Sequence, residues 1–251
     1  MRLFGLIGYP LGHSFSASFF AKKFDAEGIK AEYRNFPMKD ISGFREFLNR
    51  EPALEGLNVT VPHKQEIIPF LDSLSPTAKS IGAVNTISFI RRDKSLELVG
   101  DNTDVVGFRR SLEEHLEAHH NSALVLGTGG SSKAVVHVLE QLGIDITMVS
   151  RTSGDKRITY RELDDEELDR TTLIVNTSPL GMYPNVETYP EIPYRALSPK
   201  HLLFDLVYNP EKTEFLIRGA KYGANTVNGH DMLIYQAEAS WEIWNRTVQN
   251  K

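Results

Sequence analysis

The run GTGGSSKA at residues 127–134 constrains this chain more than any other stretch, because it follows a compact apolar strand, Ala123 to Leu126, and opens a helix. In that setting a glycine turn becomes a phosphate cradle. Gly127 permits the tight turn, and Gly129 lets backbone amides approach a pyrophosphate at the helix N-terminus. Beyond it, Ala134, Val135, Val138, Leu139 and Leu142 keep helical spacing until Gly143. Ser132 stands at the third fingerprint position, where Gly or Ala is usual, so a βα turn without a ligand is the competing reading. Further strands are expected at Ile144 to Val149, Leu173 to Asn176 and Leu202 to Val207. Strands alternating with helices predict βαβ units on a parallel sheet.

The first hundred residues repeat the alternation in a different arrangement. Strands are predicted at Leu3 to Gly8, Ala31 to Phe36 and Leu57 to Val61, with helices over 16–27 and 41–49 between them. Ala83 to Arg91 and Leu96 to Val99 read as an antiparallel hairpin around the polar Arg92-Asp93-Lys94-Ser95. A helix is expected over 104–116, and a boundary between two α/β domains near Gly100–Thr103. The acidic stretch 160–172 reads as a solvated surface helix, and Met232 to Val248 as one long helix with Leu233, Gln236, Ala237, Ser240 and Trp244 along a face.

Composition removes whole classes of function. The chain has no cysteine, which excludes disulfide scaffolds, thiolate zinc sites, iron–sulfur clusters and cysteine nucleophiles. Its 28 Lys and Arg against 33 Asp and Glu leave a net charge of −5, and no basic run compensates, so nucleic acid is not an expected partner. No apolar run approaches the roughly 20 residues that span a bilayer, and Gly5, Gly8 and Pro10 break any signal-peptide core. A soluble, cytoplasmic protein with no membrane partner is expected. His115 and His119 have i, i+4 spacing, but no third ligand accompanies them, so they read as a solvated helix end and no metal is assigned. His13 and His63, inside polar motifs, read as structural.

About 20 residues past the cradle, an NAD-binding protein usually carries a carboxylate for the ribose. Here the strand ends in Ser150-Arg151-Thr152. Nothing acidic repels a 2′-phosphate, and Arg151 can grip one in a planar fork, which favours NADP; a casual surface arginine is the alternative. In the first half, polar groups cluster near strand ends: Ser14 and Ser16 in GHSFS, Asn58, Thr60 and Lys64 in GLNVTVPHK, and Asn85, Asp101 and Thr103 across GAVNT and GDNTD. Neutral donors suit a polyhydroxylated small molecule, and a lone Lys with a lone Asp suits proton transfer. Each cluster alone is equally a turn.

Nine segments in order, GYPLGHSFS, GLNVTVPHK, GAVNT, GDNTDVVGF, GTGGSSKA, SRT, NTSPLGM, DLVYNP and NGHDMLIYQA, resemble the shikimate dehydrogenase family across essentially the whole chain. The resemblance implies an α/β, two-domain fold. Residues 1–101 with 231–251 would form the substrate domain and 102–230 a Rossmann-like NADP domain, with the last helix returning to the first. It implies reduction of 3-dehydroshikimate to shikimate by NADPH, in a monomer or homodimer. Ser14 and Ser16 would meet the substrate carboxylate, and Asn58, Thr60, Asn85, Asp101 and Gln236 its ring hydroxyls. Lys64 and Asp101 would be the catalytic pair, Lys64 giving the proton while Asp101 orients the hydroxyl and holds Lys64. The cofactor would lie on Gly127, Thr128, Gly129, Gly130, Ser131 and Ser132, with its 2′-phosphate at Ser150, Arg151 and Thr152. Its nicotinamide would lie near Asn176, Thr177, Ser178, Tyr208 and Gly229.

The family pattern is broken in places. Ala17 replaces a usual Pro, Phe20-Ala21 a usual His-Asn pair, and Ser150 a common Asn. The second basic contact to the phosphate falls on Asp155, with Lys156 and Arg157 just beyond. A quinate/shikimate dehydrogenase with relaxed cofactor use, or a non-catalytic nucleotide-binding relative, are the alternative readings.

Overall fold

The computed structural model describes residues 1–12, 15–92, 95–154 and 157–249. His13, Ser14, Asp93, Lys94, Asp155 and Lys156 lie outside them. The chain divides into two units, Met1–Thr103 with Gln236–Lys251, and Asp104–Tyr235.

In the first unit the chain runs β1 (Arg2–Gly8), α1 (Phe15–Ala26), β2 (Ala31–Pro37), a 3-10 turn leading into α2 (Phe44–Arg50), and β3 (Leu54–Val59). Then come β4 (Ser73–Leu74), α3 (Pro76–Ile81), β5 (Thr86–Arg92) and β6 (Ser95–Asp101). The sheet order is β2-β1-β3-β5-β6-β4. β1 is parallel to both β2 and β3, whereas β5 and β6 form an antiparallel hairpin beside β3. Central β1 is covered on both faces, which explains its unbroken apolar run. One face packs Ile7, Leu57, Ile67, Val84 and Ile87 with their neighbours; the other packs Phe4, Phe20, Phe24, Ala237 and Trp244.

In the second unit, α4 (Asp104–Glu113) leads to β7 (Ser122–Leu126), α5 (Gly130–Gln141), β8 (Asp145–Ser150), β9 (Arg157–Thr159), α6 (Asp165–Arg170) and β10 (Leu173–Asn176). β11 (Leu202–Asp205), α7 (Glu214–Lys221) and β12 (Asn225–Val227) follow, and α8 (His230–Gln249) carries the chain back into the first unit from Gln236. Every strand pairing is parallel, in the order β12-β11-β10-β7-β8-β9. This is the doubly wound dinucleotide-binding order, reversing between β7 and β10, and the crevice outside that point is where such sheets bind ligands. No described helix is long and apolar enough to cross a membrane.

Several predicted elements differ. β3 starts three residues early, at Leu54, and stops at Val59, because Thr60 turns away to accept the His63 amide. The acidic stretch is not a continuous surface helix. Only Asp165–Arg170 is helical, capped by Asp164, and Leu163 and Leu168 are buried in the second core. α4 ends at Glu113, so His115 and His119 do not share a helical face.

Next to them, His120 is buried at the entrance to β7, where Nδ1 accepts the Glu117 amide at 2.9 Å and Nε2 lies 3.3 Å from the Lys200 carbonyl. That geometry requires the neutral ring. Burial, and then the neighbouring His119, push its pKa below the ordinary 6.5. The unfolded chain therefore binds the proton more readily, so this contribution to stability is complete above about pH 6.5 and is lost as pH falls toward the folded-state pKa. The melting temperature is expected to drop between about pH 7 and pH 5, and His120→Gln to flatten part of that drop. An unchanged pH profile in the variant would remove His120 from the effect.

Candidate active site

In the first unit the polar motifs gather at one edge of the sheet. β1 and β3 end there at Gly8 and Val59, β5 begins there at Thr86, and β6 ends there at Asp101, opposite Thr86 in register. A buried network links them. Asn58 donates from Nδ2 to Ser240 Oγ at 2.9 Å and to Thr86 Oγ1 at 3.2 Å, and its Oδ1 accepts the Tyr33 hydroxyl at 2.8 Å. Asn85 Oδ1 accepts the Thr103 amide at 2.7 Å and the Thr86 hydroxyl at 3.0 Å, while its Nδ2 gives to Thr103 Oγ1 at 3.0 Å and reaches Gln236 Oε1 at 3.5 Å. Ser16 hydrogen-bonds the Tyr33 hydroxyl, and burial pushes that phenol far up. Ser16, Asn58, Asn85 and Gln236 are thus brought together. Ser14 lies outside the described residues.

Sequence reading missed Tyr33, Thr86 and Ser75. Tyr33 stacks on Phe20, ring centroids 4.6 Å apart, so the Phe20 that departs from the family pattern is the platform under the Tyr33 ring. Buried phenols carry an apolar ring and a hydroxyl that seeks a partner, the one signal that could have marked Tyr33. Ser75 caps α3 through the Ala78 amide and donates to Asp101 Oδ1 at 2.8 Å; the Asn102 amide reaches the same oxygen at 2.7 Å. These donors orient Asp101.

Lys64 is half-buried and follows His63, which is fully buried with Nδ1 2.8 Å from Glu66 Oε2 and Nε2 2.6 Å from the Met38 carbonyl. The Val84 amide donates to the Lys64 carbonyl at 2.7 Å, and the next amide, Asn85, donates to the Asp101 carbonyl at 3.0 Å. Lys64 and Asp101 therefore flank one dipeptide. Thr60, half-exposed, sits over Gly8.

In the second unit the motifs expected to hold the cofactor lie at or just beyond the carboxyl ends of parallel strands. Gly127, after β7, has φ +110°, a conformation that disfavours any side chain. A Cβ there would also lie 2.9 Å from Thr177 Oγ1 and 3.3 Å from the Ser178 amide, since Thr177 after β10 donates to the Leu126 carbonyl through both its amide and its hydroxyl. Gly129 caps α5 with open space where a Cβ would stand. Thr128, Gly130 and Ser131 complete this turn into the helix. Ser132 satisfies its hydroxyl on the Gly129 carbonyl at 2.7 Å, which accounts for serine at that position.

Ser150, the last residue of β8, bonds the Thr152 carbonyl and amide through Oγ and leaves Arg151 exposed. Arg157 folds its guanidinium across Gly154, while Asp155 and Lys156 lie outside the described residues. Asn176 ends β10 and Tyr208 follows β11; Gly229, after β12, packs on Leu206 and donates to the Val207 carbonyl at 3.2 Å. Burial raises the Tyr208 pKa. An open glycine cradle at a helix N-terminus, with the exposed Arg151 and no carboxylate among Ser150, Arg151 and Thr152 where β8 ends, fits a phosphorylated dinucleotide.

Comparison with known proteins agrees with this arrangement. Residues 6–87 match the family model described as the shikimate dehydrogenase substrate binding domain. A protein of Desulforamulus reducens named shikimate dehydrogenase (NADP(+)) is 38% identical over 96% of this chain and 88% of its own. The Thermus thermophilus shikimate 5-dehydrogenase structure with NADP(H) and shikimate superposes with a TM-score of 0.84 at 28% identity, covering 97% of this chain and 93% of that one. A Corynebacterium glutamicum quinate dehydrogenase with NAD gives 0.85 at 29% identity, with the same coverage. With both units, the ordered motifs and full-length relatives in agreement, the chain belongs to the shikimate dehydrogenase family.

Proposed function

We propose that this chain catalyses the reversible NADPH-dependent reduction of 3-dehydroshikimate to shikimate in aromatic amino-acid biosynthesis, in the cytoplasm, as a monomer or homodimer. The observation that carries this reading is the buried network at the edge of the first sheet, where Asn58, Asn85, Thr103, Ser240 and Gln236 interlock beside Lys64 and Asp101. Residues 1–101 with 231–251 serve as the substrate domain and 102–230 as the NADP domain.

Bound NADPH supplies the hydride to the ketone carbon of the substrate. The chain's residues do the rest. Ser14 and Ser16 hold the substrate carboxylate; Asn58, Thr60, Asn85 and Gln236 hold its ring hydroxyls. Ser75 and the Asn102 amide converge on Asp101 Oδ1, leaving Oδ2 to accept the substrate hydroxyl and orient it. The Lys64 ammonium stabilises the developing alkoxide and gives it a proton. Gly127 to Ser132 hold the pyrophosphate, Ser150, Arg151 and Thr152 the 2′-phosphate, and Asn176 to Ser178, Tyr208 and Gly229 the nicotinamide.

Purified protein should reduce NADP+ with shikimate, followed by absorbance of the reduced nicotinamide, far faster than with quinate or with NAD+. Equal rates with quinate and NAD+ would move the chain to the quinate-type reading, and binding of both ligands without turnover would make it a non-catalytic relative. Hydrogen bonds to charged groups contribute about 1.5–3 kcal/mol, so Arg151→Ala is expected to raise KM for NADPH by roughly ten- to a hundredfold and to leave KM for NADH nearly unchanged. Equal effects on the two cofactors would show that Arg151 does not read the phosphate.

A further inference from the structure

Beneath the loops assigned to the nicotinamide lies a group that the mechanism does not use. Asp205, the last residue of β11, is fully buried. Its partners are neutral donors: Oδ1 accepts from Asn176 Nδ2 at 2.9 Å and from the Val207 amide at 3.0 Å, and Oδ2 accepts the Thr213 hydroxyl at 2.6 Å. Burial raises its pKa to about 6 even though all three bonds favour the ionised form. A buried carboxylate held by neutral donors is costly, and an asparagine of the same shape would relieve that cost. The amide, however, turns one acceptor oxygen into a donor, which cannot accept the Thr213 proton. A carboxylate at this position therefore serves the geometry of its three donors rather than stability.

The bonds run from Asp205 into both loops. Its neighbour in register, Asn176, accepts the Ser178 amide at 3.0 Å and the Ser178 hydroxyl at 2.6 Å, and donates to the Leu180 carbonyl at 3.4 Å. The Val207 amide fixes the turn into Tyr208, and the Val207 carbonyl in turn receives the Gly229 amide. Thr213 starts α7 by accepting the Leu216 amide, so the return of the second loop is held from the same carboxylate.

We propose that Asp205 is a positioning residue for the nicotinamide end of the cofactor, setting the 176–180 and 206–208 loops in mutual register through Asn176, Val207 and Thr213. The inference rests on the assignment of those loops to the nicotinamide. It is tested in the full-length protein with Asp205→Asn, Asn176→Ala and the double variant, measuring NADPH Kd by fluorescence, KM for NADPH and for shikimate, and the melting temperature. Asp205→Asn should weaken NADPH about tenfold, the effect of one misplaced hydrogen bond, with KM for shikimate within about twofold of wild type and the melting temperature unchanged or higher.

Because Asp205→Asn gives up the Thr213 bond and keeps those to Asn176 and Val207 on the remaining oxygen, its effect should add to that of Asn176→Ala, and the double variant should bind NADPH more weakly than either single variant. Asp205→Asn with wild-type NADPH affinity, while Asn176→Ala is impaired, overturns the role of Asp205 and spares the loop assignment. Asn176→Ala with wild-type affinity overturns the loop assignment itself. Should Asp205→Asn not fold, Thr213→Val and Thr213→Ser replace it: valine should raise the NADPH Kd and serine restore it. Wild-type affinity in the valine variant overturns the proposal.

Discussion

Replacing Lys64 with alanine is expected to lower kcat by about 10²–10⁴ while KM for shikimate changes little, because a group that acts on the developing alkoxide matters most in the transition state. The position is prepared by its surroundings. His63 is pinned through both ring nitrogens, so the chain enters Lys64 from a fixed point, and the Val84 amide fixes the Lys64 carbonyl. The adjoining Asn85 amide fixes Asp101 in the same way. One dipeptide therefore sets the spacing of the backbones of the two residues proposed as the acid and the orienting carboxylate. Lys64→Arg keeps the charge in a different donor geometry and should recover only part of the rate. Near-normal turnover in Lys64→Ala, with shikimate affinity intact, would take Lys64 out of the chemistry and the proton-transfer assignment with it.

The legible parts of this fold are those with a local physical signature. Parallel strands buried on both faces, such as β1 and β7, appear as continuous apolar runs, and the cradle at 127–134 sits between a strand and a helix as phosphate loops require. The sheet orders were not legible, since nothing local in β3 shows that it lies between β1 and β5. The acidic stretch misled because charge hid Leu163 and Leu168, buried in the second core, one just before the short helix and one within it.

In the buried network, the members inside turn motifs were legible in the sequence and their supports were not. Asn85 announces itself as the polar residue of GAVNT, three positions after Gly82. Thr86 and Ser240, on a strand and in a helix, are indistinguishable in sequence from ordinary packing residues until the Asn58 amide is seen donating to both. Ser75 reads as a helix cap, and its second role on Asp101 depends on a contact 26 residues away.

Trp244→Ala is expected to cost about 3–5 kcal/mol, the usual loss for deleting a large buried aromatic, and to lower the melting temperature by on the order of 10 °C. Trp244 is 1% exposed, stacks on Phe4 with centroids 4.7 Å apart, and donates from Nε1 to the Ile87 carbonyl at 3.1 Å. Its indole lies directly against Gly56, where no Cβ fits, so Gly56→Ala should destabilise by overpacking the same point. The consequence extends to the site through helical spacing. Gln236, Ser240 and Trp244 follow one another at four-residue intervals on α8, so the anchor at Trp244 sets the depth at which Ser240 meets Asn58 and Gln236 meets Asn85. Below its melting transition, Trp244→Ala should therefore raise KM for shikimate severalfold and leave NADPH affinity unchanged. A variant that melts within a few degrees of wild type and keeps its shikimate KM would mean that α8 is held by its other contacts and that Trp244 merely fills space.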